Sequence, residues 1–383
     1  MSKIAIVSVG YNRPYGMKRL WNDLLKADYE NDSVTLVISL DKSDIQPELI
    51  RLAEEFEWPH GEKIIRAFPE RQGLRPHIIS CGRLTEEYDA VIIFEDDLLV
   101  SPQFYRYTKR MLEFYGDDER IAGISLYKHL LQVDSNRPFL PESDGSFTYM
   151  MQYAQSWGQC WNKRMWSGFY SWYTSSHDKP MDLSRIPDSV KRWNEHSWMK
   201  YFMRYLAVSD KYFVYPRVSL TSCYADAGQH GGGGINDYQV PTLTGETDFF
   251  LKPFDTAVKY DIFFERMGVP TLVEGRKMCV DLYGSKRNYT GFDVLASTNV
   301  LPFKVIKTVG LVYRPQEKNL ITPTEGNGIF IYDLSVPDKK PKSNGIALTN
   351  YDIRTVSWKR ALKYGLDGLK KSIMRRVKRL VKL

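Results

Sequence analysis

Short apolar runs without alternation recur through the first hundred residues, and segments of helical spacing separate them. Lys3–Val9 is closed by Gly10, Val34–Leu40 by Asp41, and Ala90–Phe94 by Glu95-Asp96-Asp97, with Lys63–Phe68 a further run of the same kind. Runs of this length suit strands covered on both faces. Between them Met17, Leu20, Trp21, Leu24 and Leu25 recur at helical spacing, as do Leu49, Leu52 and Phe56, and His77–Tyr88 reads as a third helix. Repeated strand–helix–strand units predict a three-layer α/β sandwich with a mostly parallel central sheet. Such sheets bind ligands beyond the carboxyl ends of their strands. Asn12, Arg13, Asp41 and the acidic triplet stand at those ends and are expected to face one crevice.

The 383 residues suit one catalytic-size domain and a smaller attachment, and 43% apolar with 26% charged residues excludes a disordered or fibrous chain. No apolar run approaches the roughly 18 residues of a membrane span, and the start is too short for a signal peptide. Cys81, Cys160, Cys223 and Cys279 are scattered, as in a reduced, cytosolic protein. The sequons at Asn31 and Asn288 then read as chance matches. The net charge of +7 hides a local +9 over residues 351–383, so the remainder sums to −2. A near-neutral body with a basic tail argues against a nucleic-acid binder.

Residues 1–240 are expected to form the catalytic domain, with a nucleotide half over 1–130 and an acceptor half over 131–240. Tyr149 to Tyr173 holds nine aromatics in 25 residues. Val190–Leu206 reads as a helix, Tyr212–Tyr215 as a strand and Gly231–Gly234 as loop. Residues 241–350 form a small C-terminal subdomain of short strands and turns. In the tail, Leu362, Leu366, Leu369, Ile373, Val377 and Leu380 recur at steps of three or four among Lys and Arg. That is a basic amphipathic helix, expected to lie on an anionic membrane surface.

The chemistry concentrates at the acidic triplet. Three adjacent carboxylates at a strand end repel one another unless a cation neutralises them. Oxygen ligands suit Mn2+ or Mg2+, which commonly share their shell with substrate phosphates.

Val91 to Tyr107, VIIFEDDLLVSPQFYRY, resembles the metal-binding segment of GT-A fold glycosyltransferases. It is similar to the N-acetylglucosaminyltransferase I type and to bacterial family-2-like relatives. Ile6 to Pro14 resembles that fold's opening strand and Thr221 to His230 its closing segment, so the likeness covers residues 1–235. The resemblance implies a Rossmann-like GT-A domain with Asp97 as direct metal ligand. Asp96 and Glu95 would serve the donor's ribose, neighbouring groups or metal-bound water. Arg13 and Asp41 would hold the nucleotide base, and Arg75 would lie near the nucleotide or diphosphate. On its own His230, before four glycines, reads as solvated loop; the resemblance makes it a second metal ligand.

Inverting transfer needs a carboxylate to take the acceptor hydroxyl's proton. The family places it at the start of a helix beyond the donor site, where Glu195 is the best match, with His196 and Asp188 as alternatives. Gln155 to Trp161 resembles the loop between donor and acceptor. There Gly158 would allow close backbone approach to a sugar, and Trp157 or Trp161 would stack on a pyranose face.

The expected function is therefore a metal-dependent, inverting hexosyltransferase. It would use a nucleotide-diphosphate sugar, a UDP-sugar foremost, and a glycan or lipid-linked acceptor in cell-surface polysaccharide synthesis. The expected location is cytoplasmic, peripheral at the inner membrane face. A sugar nucleotidyltransferase would want a Gly-rich phosphate loop after the first strand, which Gly10-Tyr11-Asn12-Arg13-Pro14 is not. An inactive sugar-binding scaffold of the same fold is the other alternative.

Overall fold

The structure is a computed structural model describing residues 3–224, 227–228, 231–232, 237–353 and 356–381. It divides into two compact units, residues 1–268 with 285–288, and residues 269–284 with 289–383.

The first unit opens β1 (Ile4–Gly10), α1 (Pro14–Leu25), β2 (Thr35–Leu40), α2 (Gln46–Glu55), β3 (Lys63–Ala67), α3 (Leu74–Gly82) and β4 (Ala90–Glu95). It continues β5 (Leu98–Val100), α4 (Phe104–Tyr115), β6 (Ile121–Ser125), β7 (Thr148–Met151), β8 (Gln159–Asn162) and α5 (Lys163–Ser176). Then follow α6 (Asp188–Arg192), α7 (Trp198–Ser209), β9 (Tyr212–Pro216), β10 (Thr221–Cys223), β11 (Ala227–Gly228), β12 (Gly231–Gly232) and β13 (Lys259–Tyr260).

Nine strands form one sheet in the order β13-β7-β9-β6-β8-β4-β1-β2-β3. β3, β2, β1 and β4 are all mutually parallel neighbours, the product of the repeated strand–helix–strand units. β8 enters antiparallel between β4 and β6. Every residue of β1 and β2 is buried, as their unbroken apolar runs require. On one face Trp21 of α1 donates to Ser8 of β1, and Phe104 of α4 packs on Phe94 of β4. On the other, Ser39 of β2 meets His77 of α3 at 2.7 Å, and Trp161 of β8 stacks on Phe202 of α7. The expected three-layer α/β architecture is thus present. The order reverses at β1, which lies between β2 and β4, and in open sheets of this kind the ligand crevice opens at that point.

Three local expectations change. Val190–Leu206 is not one helix: α6 ends at Arg192 and α7 begins at Trp198. Asn194 Oδ1 accepts from the His196 backbone N–H, and Ser197 Oγ caps the Lys200 N–H, so local polar bonds replace helical ones. Gly231–Gly232 is not loop but pairs antiparallel with Ala227–Gly228. The first unit also reaches past residue 240, because β13 pairs with β7 and the Leu243 N–H bonds to Ser219.

The second unit holds β14 (Met278–Asp281), β15 (Val294–Ser297), β16 (Phe303–Val309), α8 (Lys318–Ile321), β17 (Ile329–Pro337), α9 (Gly345–Ile353) and α10 (Trp358–Val381). Its four strands run β14-β15-β17-β16. Leu282, Ala296, Val309, Ile329 and Ile331 make one core cluster; Cys279, Leu295, Phe330 and Tyr332 make another. The expected amphipathic tail is the helix α10. None of the described helices is long and apolar enough to cross a membrane. All four cysteines are buried and none is disulfide-bonded.

Candidate active site

The switch between β1 and β4 brings Arg13 against the acidic triplet. Pro14 starts α1 and leaves Arg13 at its N-terminal boundary, with Nη2 2.5 Å from Asp96 Oδ1 and 3.5 Å from Asp97 Oδ2. The resemblance implies a nucleotide-base contact for Arg13; in the structure its guanidinium is engaged by these carboxylates. Burial alone would lower its pKa, but the charges of Asp96, Asp97 and Glu95 outweigh burial and raise it. Burial pushes the Asp96 carboxyl up to about 6, with Arg13 opposing and Asp97 reinforcing. Burial, then Asp97 and Asp96, push Glu95 up to about 8 against the pull of Arg13.

Three carboxylates against one guanidinium leave an excess of negative charge when all ionise. Asp97 Oδ1 is also buried without a hydrogen-bond partner. An orphaned carboxylate oxygen in an over-acidic cluster fits a hard divalent cation. Among the described residues no group of three or more His, Cys, Asp or Glu is arranged to hold a metal. His230 lies outside the described residues.

Asp41 is placed differently from its expected role. It is 3% exposed, and its carboxylate accepts from the backbone N–H groups of Lys42, Gln72 and Gly73 at 2.7–2.9 Å. It therefore shapes the loop between β3 and α3, and its burial leaves it little surface to offer a base. That loop leads directly into Arg75. Beside it Arg71 stacks over the Tyr11 ring at 4.8 Å, a pair with no linear signature.

Arg75 Nη1 donates to Tyr201 Oη at 2.7 Å, and Tyr201 donates to Glu195 Oε2. Lys200 Nζ holds Glu195 Oε1 at 2.6 Å. Helix α3 and the expected base thus belong to one hydrogen-bonded chain. Lys200, then Tyr201, lower the Glu195 pKa against its slight burial, with Arg75 adding to the effect, so the carboxylate is ionised at neutral pH. The alternatives stand outside that hydrogen-bonded chain: Asp188 is ion-paired with Lys191 and Arg287, and His196 is exposed in the turn. Lys200 and Tyr201 escape a periodicity search because they stand five and six residues beyond Glu195 across a turn. The cap Ser197 was the available signal.

The residues of the aromatic loop differ in their surroundings. Trp161 is fully buried between Trp166, Trp198 and Phe202, so it is core and not a sugar platform. Trp157 is half-buried, 4.7 Å from Tyr127 and 5.2 Å from Tyr238. Gly158 has φ +91°, and a β-carbon there would lie 2.9 Å from Thr221 Cγ2 and 3.2 Å from Leu126 Cβ. Its close approach is therefore to the protein itself, where a sugar was expected.

The sequence matches no protein-family model and no curated protein. Among solved structures the chain is similar to TarS of S. aureus, with TM-score 0.34 and 11% identity over 57% of this chain and 36% of that one. It is also similar to TarS 1-349 in complex with UDP-GlcNAc (TM-score 0.36, 11% identity, 60% of each chain). A third likeness is to the mannosyltransferase PcManGT from Pyrobaculum calidifontis in complex with GDP-Man and Mn2+ (0.31, 14%, 42% and 45%). In each case the chain spans less than two thirds of the neighbour's own length.

Proposed function

We propose that the protein is a metal-dependent, inverting glycosyltransferase moving a sugar from a nucleotide-diphosphate donor, a UDP-sugar foremost, to a glycan or lipid-linked acceptor in cell-surface polysaccharide synthesis. The observation that carries this reading is the over-acidic end of β4 at the sheet's switch point, with an orphaned Asp97 oxygen and Arg13 beside it. Asp97 would hold Mn2+ or Mg2+, with His230 as the second ligand. The bound ion would neutralise charge on the diphosphate leaving group.

The chain's own residues do the rest. Arg75 steadies the diphosphate end of the donor, and Trp157 offers an aromatic face to the sugar. The acceptor hydroxyl oxygen bonds to the anomeric carbon while the bond from that carbon to the diphosphate oxygen breaks, its electron pair leaving with the nucleotide. Glu195 takes the hydroxyl proton. α10 is read as the element that holds the enzyme at the inner face of an anionic membrane.

Release of UDP from UDP-sugars, assayed with and without Mn2+, tests the reading. Metal-dependent release supports it. Nucleotide binding without release would make the protein a binder that kept the fold.

A further inference from the structure

We infer that Tyr201 is a positioning residue that fixes the base Glu195 and ties it to the donor-side Arg75. The inference rests on the transferase reading above and adds to it a residue that no motif marks.

The geometry is a continuous chain across two helices. Arg75 stands in the first turn of α3, where the loop pinned by Asp41 delivers it. Its Nη1 donates to the Tyr201 hydroxyl on α7 at 2.7 Å, and that hydroxyl in turn donates to Glu195 Oε2. Tyr201 is 3% exposed, whereas the Glu195 side chain is 66% exposed. An exposed glutamate in a turn samples many rotamers, so a buried neighbour that holds one oxygen selects among them. Lys200, 16% exposed, fixes the other oxygen. The remaining lone pairs of Glu195 stay open to solvent, and hence to an acceptor hydroxyl.

The ring is seated independently of its hydroxyl. Tyr173 lies 5.6 Å away edge-on and His177 5.7 Å away, and the Arg75 and Arg204 guanidinium groups stand over its face at 4.9 and 6.0 Å. Phenylalanine keeps that packing and deletes only the link. The charged and titratable groups facing Glu195 are then Lys200 on its own side and Arg75 across the gap, with His196 adjacent in the chain. Because Tyr201 and Lys200 both favour the ionised carboxylate, losing either must raise the pH at which Glu195 becomes an effective base.

The test measures UDP release from UDP-GlcNAc with Mn2+, as kcat and KM against pH, in the full chain. Tyr201→Phe is expected to lower kcat about tenfold to a hundredfold, the effect of losing a hydrogen bond to a charged group. KM for the donor should stay near wild type, and at saturating Mn2+, which would hold the acidic cluster ionised, the acid limb of the kcat profile should move to higher pH. Lys200→Met should move that limb the same way. A merely structural tyrosine would lower the amount of folded enzyme and leave the limb in place. A Tyr201→Phe enzyme with wild-type kcat and limb, while Glu195→Gln is inactive, overturns the positioning role alone. Full activity in Glu195→Gln overturns the base assignment and the role with it. No UDP release by the wild type from UDP-GlcNAc or from any other UDP-sugar in a panel overturns the transferase reading itself.

Discussion

A β-carbon added to Gly16 would sit 2.4 Å from the carbonyl oxygen of Asp96. α1 therefore abuts the acidic turn as closely as two backbones can, and this contact sets Arg13 beside Asp96 and Asp97. Within a helix alanine is favoured over glycine by about 1 kcal/mol, so with room to spare Gly16→Ala would stabilise. The obstacle is backbone, which cannot rotate aside, and overpacking of this kind costs about 1–3 kcal/mol. Gly16→Ala is expected to lower the melting temperature by several degrees and to weaken stabilisation by UDP with Mn2+. An equal or higher melting temperature would show that α1 can shift without cost.

Asp97→Ala should act on binding and not on folding. Its carboxylate adds to the charge crowding at the strand end, its Oδ1 makes no hydrogen bond, and the 3.5 Å contact of its Oδ2 with Arg13 is secondary to the 2.5 Å contact that Asp96 makes. The variant should melt no lower than wild type, yet stabilisation by UDP plus Mn2+ in a thermal-shift assay should vanish. Undiminished stabilisation would remove Asp97 from the metal role.

The parts legible in the sequence are those dictated by local burial. β1, β2 and β4 follow from runs too apolar to face water, and their polar ends follow from where those runs stop. What distant residues impose was not legible. Trp161 and Gly158 have the composition of a sugar-facing loop, but Phe202, Trp198 and Thr221 claim their surroundings. Asp41 stands where a base-binding carboxylate would, yet it is buried and engaged by the backbone N–H groups of Lys42, Gln72 and Gly73. Only the resemblance points to Glu195, and its partners depend on a turn that Asn194 and Ser197 cut into an otherwise helical pattern.

Glu195→Gln should retain donor binding and lose turnover. The amide keeps the shape and can still bond to Lys200 or Tyr201, but it cannot accept a proton at neutral pH. UDP release should fall by about two to four orders of magnitude, with thermal stabilisation by UDP and Mn2+ intact. A comparable loss in His196→Ala or Asp188→Asn, with Glu195→Gln near wild type, would relocate the base.

Acid should unfold the protein partly through two buried histidines. Burial holds His77 down to about 4, with Asp41 opposing and Arg66 reinforcing, and burial alone holds His129 to about 3. Unfolded histidine titrates near 6.5. Both groups therefore contribute fully above that pH, and the contribution is lost as pH falls from 6.5 through the folded values, because only the unfolded chain takes up protons. At about 1.4 kcal/mol per unit, His77 alone accounts for about 3 kcal/mol. In urea titrations the stability gap between wild type and His77→Gln should change steadily in favour of the variant from pH 7 to pH 4.5. A gap independent of pH would mean that His77 is not held neutral.

Removal of residues 357–383 should leave folded protein that no longer sediments with anionic vesicles. Leu362, Leu366, Leu369, Ile373 and Val377 are each more than half exposed on α10, an apolar stripe with no cover among the described residues. The tail carries a local +9 on a body summing to −2. Two such helices repel each other, whereas an anionic bilayer offers both matching charge and an apolar interior, at about 1 kcal/mol per basic residue near the surface. The charged part of the binding should weaken with salt, since exposed charges are screened over about 8 Å at physiological ionic strength. Burial of the apolar stripe should leave a salt-resistant remainder. Insoluble truncated protein would mean that the helix covers the body of the protein, and vesicle binding that survives truncation would move the membrane surface elsewhere.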